Sequence, residues 1–317
     1  MYQYILRRLV QGVPVILIVS FIIFILITMA PGDPIARLQN PNITEEDLQA
    51  KYEELGLNDP LIVRYGRWLG NFVTGDLGYS MDSTRAPVNE MIKERIKPTL
   101  FLTLGAMILS IILAIPIGII SATKQYSIFD YMATLGAFLG VSVPSFFFGL
   151  VLLFTFSLKL NFFPSGGFSN AVGENNFLVH LHYAILPIVS LGLARVASMT
   201  RYMRSSMLEV IREDYIRTAK AKGLKERVVI YKHALRNALI PVVTLVGLSV
   251  PLLFGGSVII EEVFSYPGMG RLLVRAVWQR NYTVILGVNV LVAILVFLGN
   301  LLADFLYVLV DPRIQYD

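Results

Sequence analysis

Between Arg201 and Pro241 the chain reads RYMRSSMLEVIREDYIRTAKAKGLKERVVIYKHALRNALIP, where ten Lys and Arg side chains face four acids. Charge this dense does contact chemistry. It either holds anionic lipid headgroups or docks on another protein through small residues (Ala219, Ala221, Gly223) rimmed by Arg217, Lys220, Lys222 and Lys225. Bond-making chemistry has few carriers. Cysteine is absent, which excludes disulfides, thiolate metal sites and cysteine nucleophiles. His180 and His182 are two positions apart, on different faces of any helix, and His233 lies within the basic segment. No metal site, cofactor, catalytic residue or nucleic-acid partner is therefore expected. Glu261 and Glu262 read as solvated loop acids that can also meet a docking partner, and Asp304 as an acid satisfied by Asn300 and water.

The basic segment has a helical period. Leu208, Ile211, Tyr215 and Ala219 form one series, and Leu224, Val228, Tyr231 and Leu235 a second, each at the spacing of one helix face. Gly223 separates them, with Lys220 and Lys222 just before it. Cations at a helix C-terminus followed by a residue free to turn left-handed is a stop signal. Two amphipathic helices joined at a glycine elbow are predicted.

The surroundings are membrane. The chain is 55% hydrophobic, against roughly 45–50% apolar residues in soluble domains. Six stretches approach the about 20 apolar residues that a span requires: Leu9 to Ala30, Thr99 to Thr123, Ala133 to Leu158, Tyr183 to Thr200, Ala238 to Ile260 and Val284 to Ala303. Stretches this long and apolar must be helical, because lipid cannot satisfy free backbone groups. The fourth is short and carries Arg195, which is expected to snorkel toward Arg201. Lys and Arg set the orientation. With the N-terminus inside, fourteen of them fall in cytoplasmic segments and four in the short outer loops. Both termini and the basic segment are expected in the cytoplasm. The first span's apolar run is long and lacks a small-x-small site before Pro31, so it reads as an anchor and not a cleaved signal.

The segment from Asp33 to Pro98 is charge-balanced, with 8 basic and 11 acidic residues, and suits the outer face. Thr44-Glu45-Glu46-Asp47 resembles a capped helix start leading to Gly56, and a second short helix is predicted from Pro60 through Phe72 with Ile62, Tyr65 and Leu69 on one side. The predicted organisation is a tail and first span (1–32), an outer-face helical segment (33–98), a five-helix core (99–310) containing the loop 201–237, and a cytoplasmic tail (311–317).

The elbow resembles the cytoplasmic signature loop of ABC importer permeases, written Glu-Ala-Ala, three residues, Gly, nine residues, Ile-x-Leu-Pro. Ala219, Gly223 and Leu235 fall at the second Ala, the Gly and the Leu. Arg217, Thr218, His233 and Arg236 replace Glu, the first Ala, Ile and Pro. This variant is similar to the dipeptide/oligopeptide/nickel branch. So are Tyr4-Ile5-Leu6-Arg7-Arg8-Leu9, Ala30-Pro31-Gly32-Asp33-Pro34, Gly75-Asp76-Leu77-Gly78, Ser142-Val143-Pro144-Ser145-Phe146 and Glu262-Val263-Phe264-Ser265-Tyr266-Pro267-Gly268-Met269-Gly270. Asn281-Tyr282-Thr283 departs from that branch's usual Asp-Tyr-Pro.

The resemblance implies an all-α membrane protein with six transmembrane helices, of the type I ABC importer permease kind, in a prokaryotic plasma membrane. It implies one half of a translocation pathway, with partners in a second homologous permease, two ATPase subunits, an extracytoplasmic substrate-binding protein and membrane lipid. Arg217, Thr218, Ala219, Lys220, Ala221, Lys222, Gly223 and Leu224 would be the ATPase-coupling residues. The chain has no Gly-x-x-x-x-Gly-Lys-[Ser/Thr] phosphate loop, so hydrolysis is expected in the partners. Di- or oligopeptides are the expected substrates. The alternatives are nickel or an oligosaccharide in the same class, an ion-coupled secondary transporter, or a membrane scaffold.

Overall fold

The computed structural model describes residues 2–29, 52–53, 56, 58–82, 84–168 and 176–310, the side chains of 2–6 and 305–310 excepted. The expected helix start at Thr44, the Ala30–Pro34 motif and the tail 311–317 lie outside the described residues. In chain order the helices named within the described residues are α1 (Tyr2–Met29), α2 (Leu61–Val73), α3 (Val88–Thr123), α4 (Ile128–Ser142), α5 (Ser145–Lys159), α6 (Phe177–Ile211), α7 (Asp214–Ala221), α8 (Glu226–Ala238), α9 (Ile240–Ser249), α10 (Leu252–Gly255), α11 (Val258–Val263), α12 (Met269–Trp278) and α13 (Tyr282–Val310).

Four of these, α1, α3, α6 and α13, are long and apolar enough to cross a membrane alone, and the total rises to as many as six if each of two bent helix pairs counts as one span. The expected third span is not one rod. α4 and α5 meet at 102°. Pro144 has no N–H to continue the ladder, and Val143 before it takes an extended conformation (φ −83°, ψ 123°), as residues preceding proline do. The expected fifth span is broken as well. α8 and α9 meet at 44°, and the chain then passes through Pro251, α10 and Gly256 (φ +67°) before α11. α3 begins at Val88, so the boundary drawn at residue 98 falls inside a continuous helix.

The centre of the bundle is the long contact between α3 and α6. Gly105 lies under Ile188, Gly192 against Ala106 and Leu109, and Gly118 under Met203. Such small residues let helix backbones approach within a bilayer, where van der Waals contact replaces the hydrophobic drive. Gly140 likewise admits Ala197 of α6, whereas Gly136 faces open space. α2 lies along α1 through Tyr65, Trp68 and Phe72, with the Tyr65 hydroxyl 2.8 Å from Ser20 Oγ. Its packed stripe is rotated from the one expected: Ile62 is 75% exposed.

Candidate coupling surface

α6 does not stop at the expected membrane edge. It runs to Ile211, so Arg201 and Arg204 belong to the membrane helix itself. The chain breaks at Arg212–Glu213 and restarts as α7, with Asp214 in its first turn and Lys220 in its last, both favourable to the helix dipole. Gly223 follows at φ +73°, its N–H bonded to the Lys220 carbonyl at 3.0 Å. The predicted left-handed elbow is present.

The buried faces differ from the predicted stripes. The break after Ile211 resets the helical phase, so Ile216 and Ala219 turn inward (1% and 6% exposed) while Tyr215 turns out, its hydroxyl accepting from Asn237 Nδ2 at 2.8 Å. In α8, wide π turns from Val229 to Ala234 shift the phase again. Val229, Ala234 and Ala238 are buried, and Leu224, Val228 and Tyr231 remain on the surface. The inward residues pack on Met199, Met203 and Met207 of α6 and on Ala114, Ile119 and Ala122 of α3. Ala219 therefore serves the approach of α7 to its own bundle. Arg217, Thr218, Lys220, Ala221, Lys222, Gly223 and Leu224 are all exposed. The result is a short rigid helix and a turn, anchored on one side and presenting cations and apolar groups on the other.

Sequence reasoning assigned Arg204 to the basic surface, but its guanidinium is turned inward. It forms a fork-to-fork pair with Asp130 (Nε to Oδ1 2.6 Å, Nη2 to Oδ2 2.8 Å), and its Nε also donates to Ser121 Oγ at 3.1 Å. Ser121 donates in turn to Asp130, and the Tyr126 N–H donates at 3.0 Å. Asp130, 3% exposed, sits in the first turn of α4 under the Ser127 cap. The cluster ties the end of α3 and the start of α4 to α6 two turns before its end. Asp304 pairs with Arg8 at 3.2 Å, a partner the sequence reading did not name.

Two descriptions of one family match the chain: "Binding-protein-dependent transport system inner membrane component" over residues 114–316, and its N-terminal counterpart over residues 1–103. The chain belongs to this family. It is a multi-pass inner-membrane permease of the ABC importer class. The permease is 45% identical over 316 residues to the oligopeptide transport system permease protein AppB of Bacillus subtilis (strain 168), covering 100% of both chains. It is 42% identical over 317 residues to a putative peptide permease of Brucella suis, covering 99% of each. Against the glutathione transport system permease protein GsiC of Escherichia coli (strain K12) the identity is 40% over 316 residues, with 100% of both chains covered. A solved structure of the MetNI methionine ABC transporter in inward-facing conformations shares the fold, with a TM-score of 0.55 at 19% identity, covering 70% of the permease and 96% of that chain. Family membership sets aside the ion-coupled transporter and the scaffold.

At the end of the permease opposite the elbow, Glu261 corrects the reading of a solvated loop acid. It is fully buried. Its carboxylate fills the space that side chains would occupy at Gly256, Gly268 and Gly270, accepting from Thr99 Oγ1 at 3.1 Å and the Arg271 N–H at 2.9 Å. Thr99 Oγ1 also accepts from the Met269 N–H at 2.8 Å, and the Tyr266 hydroxyl donates to the Pro98 carbonyl at 3.2 Å. The Glu-Val-Phe-Ser-Tyr-Pro-Gly-Met-Gly run is thus a loop folded around the preceding carboxylate, locked to the start of the second span. Glu262 stays exposed and pairs with Arg271 at 3.4 Å. His180 is buried, stacked on Phe168 with centroids 4.2 Å apart.

Burial pushes Glu261 above the usual carboxylate range, against the opposing pull of its backbone and Thr99 hydrogen bonds. With a raised pKa in the folded state, the native protein holds a proton that the unfolded chain has lost across the interval just above the ordinary Glu value. Stability therefore declines as pH rises through that interval. Melting midpoints of purified permease from pH 4 upward should show this slope, and Glu261→Gln should flatten it. An unchanged slope in the variant would place the titration elsewhere.

Proposed function

We propose that this permease is one half of the translocation pathway of an ATP-driven, binding-protein-dependent importer of di- or oligopeptides, and that α7, Gly223 and the start of α8 transmit the ATPase stroke. The observation that carries the reading is the elbow. Ile216 and Ala219 fix α7 to the α3–α6 core, so force applied to the exposed Arg217, Thr218, Lys220, Ala221, Lys222 and Leu224 reaches the membrane helices without loss in a flexible loop. Leu224, Val228 and Tyr231 add an apolar strip that a partner's groove would cover. The names of the AppB, GsiC and Brucella relatives support a peptide substrate.

One chain carries one such elbow, so a second homologous permease and two ATPase subunits complete the importer, with a soluble binding protein delivering substrate. Reconstitution in vesicles tests this. Uptake should require ATP, the binding protein and the second permease, and should persist with an ionophore. Transport by a complex holding only this permease and ATPases would refute the paired arrangement.

The proposed orientation has both termini and the elbow in the cytoplasm and residues 33–98 outside. An outer-face reporter fused near Asn58 should be active and one near Lys225 silent. The reverse pattern would overturn the orientation and, with it, the assignment of the elbow to an ATPase.

A further inference from the structure

Arg195 is the observation that the coupling role leaves unexplained. Snorkelling to Arg201 was expected, but the register of α6 on α3 puts it deep. Ser110 reaches the Gly192 carbonyl and Arg204 reaches Ser121, pairings 82 and 83 positions apart. The same register sets Arg195 level with Ile112, in the middle of the apolar run Thr99–Thr123. Arg204, which does reach a polar layer, lies nine residues further on, about 13 Å along the axis at the α-helical rise. That is beyond the reach of an arginine side chain.

At this depth Arg195 is half-buried and makes no hydrogen bond or ion pair with any described residue. A bare guanidinium near the bilayer centre is costly unless it faces water or an anion. Its side of α6 is not built for lipid. Ala194 and Ser198 flank it with little bulk, the Ser198 hydroxyl is turned back to the Ala194 carbonyl at 3.0 Å, and Tyr202 stands half-exposed two turns on. At the same level the lipid-type surface lies on α3 and α4, where Ile108, Ile112, Phe138 and Leu139 are exposed.

We propose that Arg195 is a carboxylate-binding residue of the translocation pathway, receiving the C-terminal carboxylate of a peptide in transit. The inference rests on the importer reading above. The planar guanidinium matches a carboxylate with two parallel N–H donors, and the low dielectric at mid-depth strengthens the pair. A single such contact gives the substrate one resting point without trapping it.

The test uses the complete importer in vesicles, with the binding protein pre-loaded with a tripeptide or with its C-terminal amide. The wild type should take up the acid roughly tenfold faster than the amide, the magnitude of one charge-assisted contact. Arg195→Gln should slow acid uptake until the acid-to-amide ratio is near one, with amide uptake, binding-protein docking and ATPase retention unchanged. Arg195→Lys should retain part of the preference. Equal loss for both peptides assigns Arg195 to the interface with the second permease, and no loss for either assigns it no role; each outcome overturns this inference alone. Uptake of neither peptide by the wild-type complex overturns the importer reading and this inference with it.

Discussion

Arg204→Leu is expected to cost about 3–5 kcal/mol of stability, because it strands the Asp130 carboxylate in a site with almost no access to water. The pair is bidentate, and once the guanidinium is gone Ser121 and the Tyr126 N–H still donate to Asp130 but leave its charge uncompensated. Asp130→Asn keeps the side chain's shape and one acceptor oxygen but sets an NH2 donor against the donors that faced the other oxygen, so it should also destabilise. The double variant should recover part of the loss. Because the two side chains touch, a double-mutant cycle should give a coupling of about 1–3 kcal/mol. Thermal melting and protease resistance of the four proteins read this directly. Additive effects within about 0.5 kcal/mol would show that the cluster is not a structural tie. The functional consequence follows from position. The cluster joins three membrane helices beside the core that holds α7, where Ala122 and Met203 share a cluster with Ile216 and Ala219, so loosening it should reduce transport more than it reduces ATPase retention.

The length of the apolar runs made the membrane helices legible, because a span is specified by composition over about 20 residues and tolerates errors at its ends. The left-handed elbow was legible for a different reason: Gly223 after two lysines is a local signal, and φ +73° at that position depends on little else. Side-chain direction in the loop was not legible. A periodic stripe predicts a buried face only while the helix keeps one phase, and the break at Arg212–Glu213 and the π turns at Val229–Ala234 each change it. The same limit hid the kinks. Pro144 and Pro251 are local features of the sequence, but whether a proline bends a helix or divides it is decided by packing. The Asp130–Arg204 and Thr99–Glu261 contacts join residues 74 and 162 positions apart. Half of each was present locally, as an acid in a capped first turn and an acid before a glycine-rich run, and nothing local named the partner.

Gly223→Val is expected to abolish most transport while leaving insertion and the bundle intact. The would-be Cβ has nothing within 4 Å, so the cost inside this chain is conformational: about 1–2 kcal/mol to hold a β-branched residue left-handed. That is enough to shift the turn between α7 and α8, and the elbow with it. Gly223→Asn, which tolerates the left-handed region, should keep most activity and separates backbone strain from bulk at the partner's surface. Ala219→Glu should act differently. Ala219 is buried in the same apolar cluster as Met203 and Val229, so a carboxylate there is buried without a counter-charge and forces α7 off its own bundle. The Val variant should therefore melt close to wild type and the Glu variant well below it, although both lose coupling. Co-purification of the ATPase subunits, measured with hydrolysis and uptake, distinguishes failure to dock from failure to transmit. Full uptake with normal ATPase retention in both variants would return the basic segment to the role of holding lipid headgroups.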